Sequence, residues 1–200
     1  QTVEQGQINW IVEADIKGFF DNVDHDWLMK FLAQRIGDKR VLRMIKRFLK
    51  AGVVEDGRLE ISDQGTPQGG CASPLLANVY LHYVLDLWIQ SWRSQRGRGD
   101  MVIVRYADDF IIGFEHKYEA EACLKELRDR FAKFGLKLHD QKTRLIEFGR
   151  FAIDRRKARG EGRPETFDFL GFTHRCGVTR RHGWFTIHRE TVAKRMRATL

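Results

Sequence analysis

Two adjacent carboxylates, Asp108 and Asp109, stand between two short apolar runs in the segment from Val102 to Phe114. These runs are rich in β-branched and aromatic residues, which is typical of paired strands with a tight connection. The sequence therefore predicts both acids at the tip of a hairpin. Two such charges repel by about 4 kcal/mol at about 4 Å and an effective dielectric of roughly 20, so a bound cation would stabilise them. Carboxylate oxygens favour Mg²⁺ or Mn²⁺, whereas an ordinary Asp-containing turn is the competing interpretation.

A third carboxylate, Asp15, follows the apolar run from Trp10 to Ala14, which has the composition of a buried strand. An acid at the end of a strand either caps the following turn or binds something. Together with Asp108 and Asp109 it makes three carboxylates at strand ends, the ligand set of a two-metal phosphoryl-transfer site.

The segment Gln64–Trp92 begins as a Gly-rich loop and continues with apolar residues at helical spacing. A flexible loop before a helix N-terminus suits a phosphate or a base-paired substrate, because unpaired backbone N–H groups point there. The alternative is a simple loop with Ser73 as the N-cap and Pro74 as the first helical residue. That alternative does not account for the glycines.

A sheet is needed to bring these strand ends together. The chain alternates strand, helices, two strands, helix and strand, which is a split βαβ plan. The sequence thus predicts an α+β fold: a ferredoxin-like antiparallel sheet with helices packed on one face, plus a C-terminal hairpin. We expect residues 1–150 to form the core, and residues 151–200 a basic loop, this hairpin and the start of a further connection. The predicted strands are 9–15, 136–138, 145–148, 167–173 and 184–188, the helices 26–36, 39–51, 74–92 and 118–134, and the other hairpins 53–61 and 102–114.

Positive charge is concentrated near the end of the chain. The formal net charge is +8, and residues 151–200 hold 12 basic and 5 acidic residues against 23 and 22 in the rest. Such an asymmetry indicates contact with a phosphate backbone. A solvated, partly disordered loop explains the basic segment 155–163 equally well, and residues 194–197 suggest the start of a helix.

Several classes of protein are disfavoured by composition. The three cysteines, Cys71, Cys123 and Cys176, form no CxxC pair, which argues against a disulfide scaffold or a zinc site. No run of eighteen apolar residues and no signal peptide occur in the sequence, so we expect a cytoplasmic protein without a membrane partner.

Five segments, in order, resemble the motifs of reverse transcriptases, most closely those encoded by bacterial group II introns. The sequence YADD at Tyr106–Asp109 matches motif C, Ala14–His25 is similar to motif A, and Gln64–Leu81 is similar to motif B in its group II form. Further along, Phe134–Leu145 resembles motif D and FLGF at Phe169–Phe172 resembles the primer-grip motif E. The resemblance implies a polymerase palm that adds dNTPs to a DNA or RNA primer on an RNA template, such as intron RNA, in a bacterial cell.

The resemblance also implies the catalytic residues. Asp15, Asp108 and Asp109, with the backbone carbonyl of Ile16, would hold two Mg²⁺ ions, for which Mn²⁺ substitutes. Lys142 in the motif D match would protonate or stabilise the leaving pyrophosphate, although a lysine there is also explained by solvation alone.

Substrate contacts are carried over in the same way. Phe20 would be a steric gate whose ring collides with a 2′-hydroxyl, although a lone Phe after a strand is also explained as core. The other implied contacts are Lys17, Gly18 and Phe19 beside the triphosphate, Pro67, Gln68 and Gly69 facing the incoming nucleotide, Tyr106 near the primer terminus, and Phe169, Leu170, Gly171 and Phe172 bracing the primer 3′ end.

The extent of the resemblance limits the expected activity. It begins close to motif A, so the fingers strands of these enzymes would precede Gln1 and the thumb would follow Leu200. We expect Mg²⁺-dependent DNA synthesis from the parent protein and weak or no activity from this piece alone. An RNA-binding maturase module without polymerase activity is the alternative from another class, since it needs the basic surface but not the carboxylates. A nucleotide cyclase of similar topology is disfavoured because no GGDEF-like string occurs. The oligomeric state is not indicated.

Overall fold

The computed structural model describes residues 7–50, 53–55, 58–60, 65 and 72–192. Its contact pattern divides the chain into two units. The first unit comprises Gln1–Asp15, Trp92–Glu126 and His139–Leu200, and the second comprises Ile16–Ser91 and Leu127–Leu138. The sequence-based division at residue 150 stays a prediction.

Strands and helices follow the order that the hydrophobic pattern predicts. The strands of the described part are β1 (Trp10–Ala14), β2 (Val53–Glu55), β3 (Arg58–Glu60), β4 (Met101–Tyr106), β5 (Asp109–Phe114), β6 (Arg144–Glu147), β7 (Phe167–Phe169), β8 (Phe172–Val178) and β9 (Phe185–Thr191). The helices are α1 (His25–Ala33), α2 (Lys39–Lys50), α3 (Ser73–Leu81), α4 (Leu87–Arg96), α5 (Lys117–Lys133) and α6 (Ala152–Ala158), with a 3₁₀ turn at Phe19–Asn22 and a π-helical turn at His82–Asp86. Across the described ranges, none of these helices combines the length and the apolar character that a membrane span needs.

The first unit contains a four-stranded antiparallel sheet with the order β4-β5-β1-β6. Strand β5 is its apolar centre, since Phe110, Ile112 and Phe114 are all buried. A second sheet of the same unit has the order β7-β8-β9, and Phe167 at its start joins the buried cluster that also contains Ile11 of β1. Mixed helices and antiparallel sheets confirm the predicted α+β class.

The second unit is organised by aromatic side chains around α1. Asp24 caps this helix, because its carboxylate accepts a hydrogen bond from the backbone N–H of Trp27 at 2.8 Å. The buried ring of Phe31 stacks on Tyr83, with ring centroids 4.7 Å apart. The fully buried Tyr80 donates its hydroxyl to the carbonyl of Phe134 at 2.7 Å, which satisfies the only polar group of its side chain.

The segment 167–173, predicted as one strand, is two strands joined by a tight turn. Leu170 and Gly171 have φ values of 52° and 82°, the left-handed region at both central positions of a two-residue hairpin. Phe169 pairs with Phe172 across that turn. The FLGF motif therefore lies at a hairpin tip, and the predicted C-terminal hairpin is a three-stranded sheet.

Other local predictions also need correction. The segment 136–138 is not a strand, because only Leu138 forms a bridge, with Ile16. The basic segment predicted as a loop contains α6. Helix α3 begins at Ser73 itself, so the N-cap position falls on Ala72, which makes no side-chain cap hydrogen bond. The end of the predicted 39–51 helix and the turn of the 53–61 hairpin lie outside the described residues.

Candidate active site

The YADD segment forms the predicted hairpin tip. Tyr106 of β4 pairs with Asp109 of β5, so the connecting loop is only Ala107 and Asp108. Ala107 has φ 54°, a conformation that costs a residue with a side chain about 1–2 kcal/mol. The guanidinium of Arg105 donates to the Ala107 carbonyl at 2.7 Å, which helps to hold the turn in this conformation. Backbone pairing on both sides of the loop thus fixes the positions of the two carboxylates.

Asp15 comes to the same edge of the sheet through strand pairing. Strand β1 pairs with β5 in antiparallel register, and its last pair is Ala14 with Phe110. The next residue on each strand is Asp15 and Asp109, so these two acids continue the register toward each other. The backbone carbonyl of Asp15 also accepts a hydrogen bond from the N–H of His139 at 2.8 Å. The sheet therefore carries all three predicted carboxylates at neighbouring strand ends.

The charges of Asp108 and Asp15 contribute to the pKa of Asp109. Partial desolvation, followed by the negative charges of Asp108 and Asp15, raises the pKa of the Asp109 carboxyl, while Lys142 opposes this shift. Desolvation and like charge both disfavour an ionised carboxyl. A cation beside this group would stabilise its ionised form.

Lys142 supplies one such cation. Its Nζ lies 2.6 Å from Oδ2 of Asp15, and this hydrogen bond raises the pKa of the ammonium. A turn positions the lysine, because the N–H groups of Lys142 and Thr143 both donate to the carbonyl of His139, at 3.0 and 2.9 Å. Sequence reasoning assigned Lys142 to the leaving group, and the structure places its side chain directly beside a predicted metal ligand.

The carboxylate oxygens suit a hard divalent cation, although they do not surround a single metal position in this structure. Across the described residues, no group of three or more His, Cys, Asp or Glu side chains is positioned to hold a metal ion. Carboxylate oxygens are nonetheless the donors that Mg²⁺ and Mn²⁺ prefer, and the mutual repulsion at Asp109 favours a bound cation. The chemistry of Asp15, Asp108 and Asp109 thus fits the implied metal, which they would hold together. The predicted carbonyl ligand, Ile16, belongs to the second unit.

A cleft of about 480 Å³ opens beside these residues in the first unit. Asp15, Asp109 and Lys142 line it together with Asp168 and Phe169, so the residues matched to motifs A, C, D and E face one space. Phe169 belongs to the FLGF turn, in which Leu170 and Phe172 are exposed. Tyr106 is also exposed, with 67% of its surface accessible.

Sequence reasoning missed an ion pair in this cleft. Glu13 accepts hydrogen bonds from the guanidinium of Arg144 on β6 and, at 3.1 Å, from the backbone N–H of Asp168 on β7. Arg144 in turn donates to the carbonyl of Thr166 at 3.2 Å. Glu13 thereby ties β7, which leads into the FLGF turn, to β1, which ends directly before Asp15. A glutamate inside an otherwise apolar strand was the signal that could have revealed it.

The second unit holds the residues matched to the nucleotide pocket. Gly18 adopts φ 55° and opens the 3₁₀ turn, in which Phe19 is buried and Phe20 is half-buried. The two phenyl rings pack at a centroid distance of 5.3 Å, so the ring of Phe20 is held in place by a core residue. Lys17 is exposed, and its backbone N–H donates to the carbonyl of Lys137 at 2.9 Å.

Gly65, at the start of the motif B loop, packs directly on this turn. Its N–H donates to the carbonyl of Val23 at 2.8 Å, and its own carbonyl contacts Nε2 of the buried His25. A Cβ at Gly65, which has φ +89°, would lie 3.0 Å from the carbonyl oxygen of Phe20, so only glycine allows this approach. Pro67, Gln68 and Gly69 themselves lie outside the described residues.

Comparison with known proteins identifies the family. Residues 1–174 match the model of the family described as reverse transcriptase (RNA-dependent DNA polymerase). The group II intron-encoded protein LtrA of Lactococcus lactis subsp. cremoris is 49% identical over 88 residues, which are 42% of this chain and 15% of that protein. Protein YkfC of Escherichia coli K12 is 32% identical over 188 residues, covering 77% of this chain and 49% of that protein. The chain thus spans half or less of these curated relatives.

Solved structures show the same fold. Apo telomerase from Candida tropicalis, truncated from its C-terminal domain, matches 92% of this chain and 36% of its own chain with a TM-score of 0.63 at 14% identity. At that identity the likeness concerns the fold alone. The similarity to a group II intron-encoded protein agrees with the resemblance seen in the motifs, and the family match over most of the sequence shows that the chain belongs to the reverse transcriptase family.

Proposed function

We propose that residues 1–150 form the palm core of an RNA-directed DNA polymerase, which adds dNTPs to the 3′ end of a primer by two-metal phosphoryl transfer. The parent would be a group II intron mobility and splicing protein. The observation that carries the proposal is the grouping of Asp15, Asp108 and Asp109 at adjacent strand ends, where desolvation and then the charges of Asp108 and Asp15 raise the pKa of Asp109. The fold itself does not require three acids at neighbouring strand ends.

Each residue of the site would have a distinct task in this reaction. Asp15, Asp108 and Asp109 would hold divalent ions, which when bound activate the attacking oxygen and neutralise the leaving group. The ammonium of Lys142 lies beside Asp15, and from there it would hold a proton near the departing pyrophosphate.

The remaining motif residues would select and orient the substrates. Phe20, braced by Phe19, would exclude a 2′-hydroxyl, and the backbone of Lys17–Phe19 would contact the triphosphate. Pro67, Gln68 and Gly69 would face the incoming nucleotide, while Tyr106 and the Phe169–Phe172 turn would contact the primer end. An RNA template and a cytoplasmic location remain proposals.

The test compares this chain with a variant carrying Asp108→Asn and Asp109→Asn. Mn²⁺ binding is measured by calorimetry in the presence of dNTP and a primer annealed to RNA, because the piece alone is expected to extend primers weakly. A matched control carries Asp129→Asn on α5 and Asp154→Asn on α6, so that it loses the same amount of negative charge away from the site. We expect metal binding in the wild type and the control, and its loss in the site variant.

Primer extension in the context of the longer parent protein gives the second readout. Losing metal-dependent charge stabilisation worth several kcal/mol lowers the rate by about a thousandfold or more. Equal Mn²⁺ binding by all three proteins would remove the carboxylates from the explanation. The RNA-binding alternative would then be favoured.

A further inference from the structure

Helix α2 carries an unusual concentration of positive charge. Six of the twelve residues from Lys39 to Lys50 are basic, and none is acidic. All six are exposed: Lys39, Arg40, Arg43, Lys46, Arg47 and Lys50. None of the residues assigned to polymerisation lies on this helix, so its charge has no role in the function proposed above.

The charges form a stripe along one side of the helix. At about 100° per residue, five of the six side chains fall within an arc of roughly 100°. The apolar side chains lie on the rest of the helix: Leu49 is buried and Leu42, Ile45 and Phe48 are half-buried where the helix packs against α1, whereas Val41 and Met44 are exposed. Because four of these six apolar side chains are covered at least in part by protein, α2 is not arranged to insert into a membrane surface. The cationic stripe is the side that faces outward.

Most of this charge is not neutralised inside the protein. Arg40 pairs with Asp38 at 3.1 Å, but Lys39, Arg43, Lys46 and Arg47 have no hydrogen-bond or ion-pair partner in the part of the chain that the structure describes. Like charges three and four residues apart destabilise a helix. A surface depression of about 310 Å³ lies among Arg43, Lys46, Arg47 and Lys50. A polyanion on the stripe would relieve this repulsion.

The geometry favours a chain of phosphates over a single anion. The stripe extends over about 16 Å from Lys39 to Lys50, and neighbouring side chains three or four residues apart are separated by roughly 5–6 Å at Cβ. Cations repeated along one side of a helix suit the regularly spaced phosphates of a nucleic-acid backbone. Neutralising those phosphates releases bound counterions, which favours binding.

We propose that the α2 stripe, defined as Lys39, Arg43, Lys46, Arg47 and Lys50, is a docking surface for the phosphate backbone of RNA, separate from the template contacts of polymerisation. The identity of the polyanion as RNA rests on the proposed function. The contact is sequence-independent, since it is made to phosphate oxygens, which carry no sequence information.

The test uses fluorescence anisotropy with a labelled RNA hairpin over a series of KCl concentrations. The α2 variant carries Arg43→Gln, Lys46→Gln and Arg47→Gln. Its matched control carries Lys125→Gln, Arg128→Gln and Lys133→Gln on α5, where three exposed cations are interleaved with acidic residues. Both variants lose the same charge from helical positions, so a general electrostatic effect would be equal in the two.

We expect the α2 variant to bind the hairpin about tenfold or more weakly at about 50 mM salt, and the slope of log affinity against log salt to fall by about one for each lost phosphate contact. The control should stay within about threefold of the wild type. A charge-preserving variant, Arg43→Lys with Arg47→Lys, should retain binding and guards against a folding artefact, which circular dichroism also checks.

Two results would overturn the proposal. One is equal affinity loss in the α2 and α5 variants. The other comes from the same titration with labelled polyglutamate in place of the hairpin: if the α2 variant loses polyglutamate binding but keeps RNA binding, the partner is an acidic protein. Two separate readouts on the Asp108→Asn, Asp109→Asn protein distinguish the two claims. Retained Mn²⁺ binding by that variant would contradict the polymerase proposal alone, whereas its hairpin binding tests only the α2 surface.

Discussion

Two segments of this chain, α2 and the segment 152–163 that begins with α6, are both rich in basic residues but differ in the acidic residues available to pair with them. In the segment 152–163, Arg159 donates to Glu161 at 2.7 Å and also to Glu147, and Arg156 donates to the carbonyl of Gly162 at 3.0 Å. In α2, four of the six cations have no partner within the described residues. Arg156 and Arg159 thus serve internal structure in the segment 152–163, whereas most cations of α2 present charge that is unpaired among the described residues.

Counting charges along the sequence indicates only residues 151–200, whose contact with a phosphate backbone stays a prediction, and it overlooks α2. The surplus of basic residues lies in residues 151–200, whereas α2 lies in the part that is nearly neutral as a whole. Acidic residues elsewhere in residues 1–150 offset the positive charge of α2 in the total, but within the described ranges they do not pair with Lys39, Arg43, Lys46 or Arg47. Free charge depends on distances to counter-charges, and only neighbours within a few ångströms neutralise it strongly.

Charge reversal in each segment gives the largest expected contrast. Arg43→Glu with Arg47→Glu on α2 should weaken RNA binding about thirtyfold at low salt, because two contacts are replaced by repulsion. Arg156→Glu with Arg159→Glu in the segment 152–163 should weaken it by less than about threefold, because Glu161 and Glu147 already pair with these cations. Anisotropy with the same RNA hairpin measures both, and equal losses would show that the two segments bind RNA alike.

Substitution of Arg159 sharpens the comparison through stability. Glu147 is only 4% exposed, and Arg159→Gln would leave its carboxylate without its cation. A buried charge without a partner is costly, so the melting temperature should fall by about a few degrees or more. RNA affinity should change by less than about twofold. Glu161→Gln is the control, because Glu161 is exposed and its loss should lower the melting temperature less. Reduced RNA binding by Arg159→Gln at unchanged stability would contradict the structural role of Arg159.

The smallest expected effect is a pH dependence confined to the segment 152–163. The hydrogen bond from Arg159 lowers the pKa of Glu161 from its ordinary value of 4.5. The unfolded chain therefore takes up this proton first as the pH falls, so the stabilisation present at neutral pH is lost below about 4.5. The difference in melting temperature between wild type and Glu161→Gln should shrink in that range. The difference in melting temperature between wild type and Arg43→Gln should not change with pH in this range, because α2 contains no acid. A parallel change for both variants would argue against the pairing of Arg159 with Glu161.

Much of the fold could be predicted because it depends on local patterns. The β-branched runs around Ala107 and Asp108 predict a hairpin whatever surrounds them, and the structure has that hairpin. Helices α1, α2 and α5 lie close to their predicted ranges for the same reason. The FLGF segment was misassigned because a short apolar run was given more weight than the turn signal of Gly171, which adopts positive φ together with Leu170.

The candidate site was only partly accessible from the sequence. Motif resemblance indicated Asp15, Asp108, Asp109 and Lys142, yet the contact of Lys142 with Asp15 joins residues 127 positions apart and needed the structure. The pairing of Glu13 with Arg144 likewise depends on the register between β1 and β6.

The sequence by itself determined the class of fold, the motifs and their order, and the number of charges available. Tertiary structure decided which of those charges meet. Strand pairing places Asp15 beside Asp109, the turn after His139 brings Lys142 to them, and packing gives Arg159 two carboxylates while Arg43 faces outward. The physical reason is that local propensities act between neighbours in sequence, whereas Coulomb and hydrogen-bond energies depend on distances in space that only the folded chain sets.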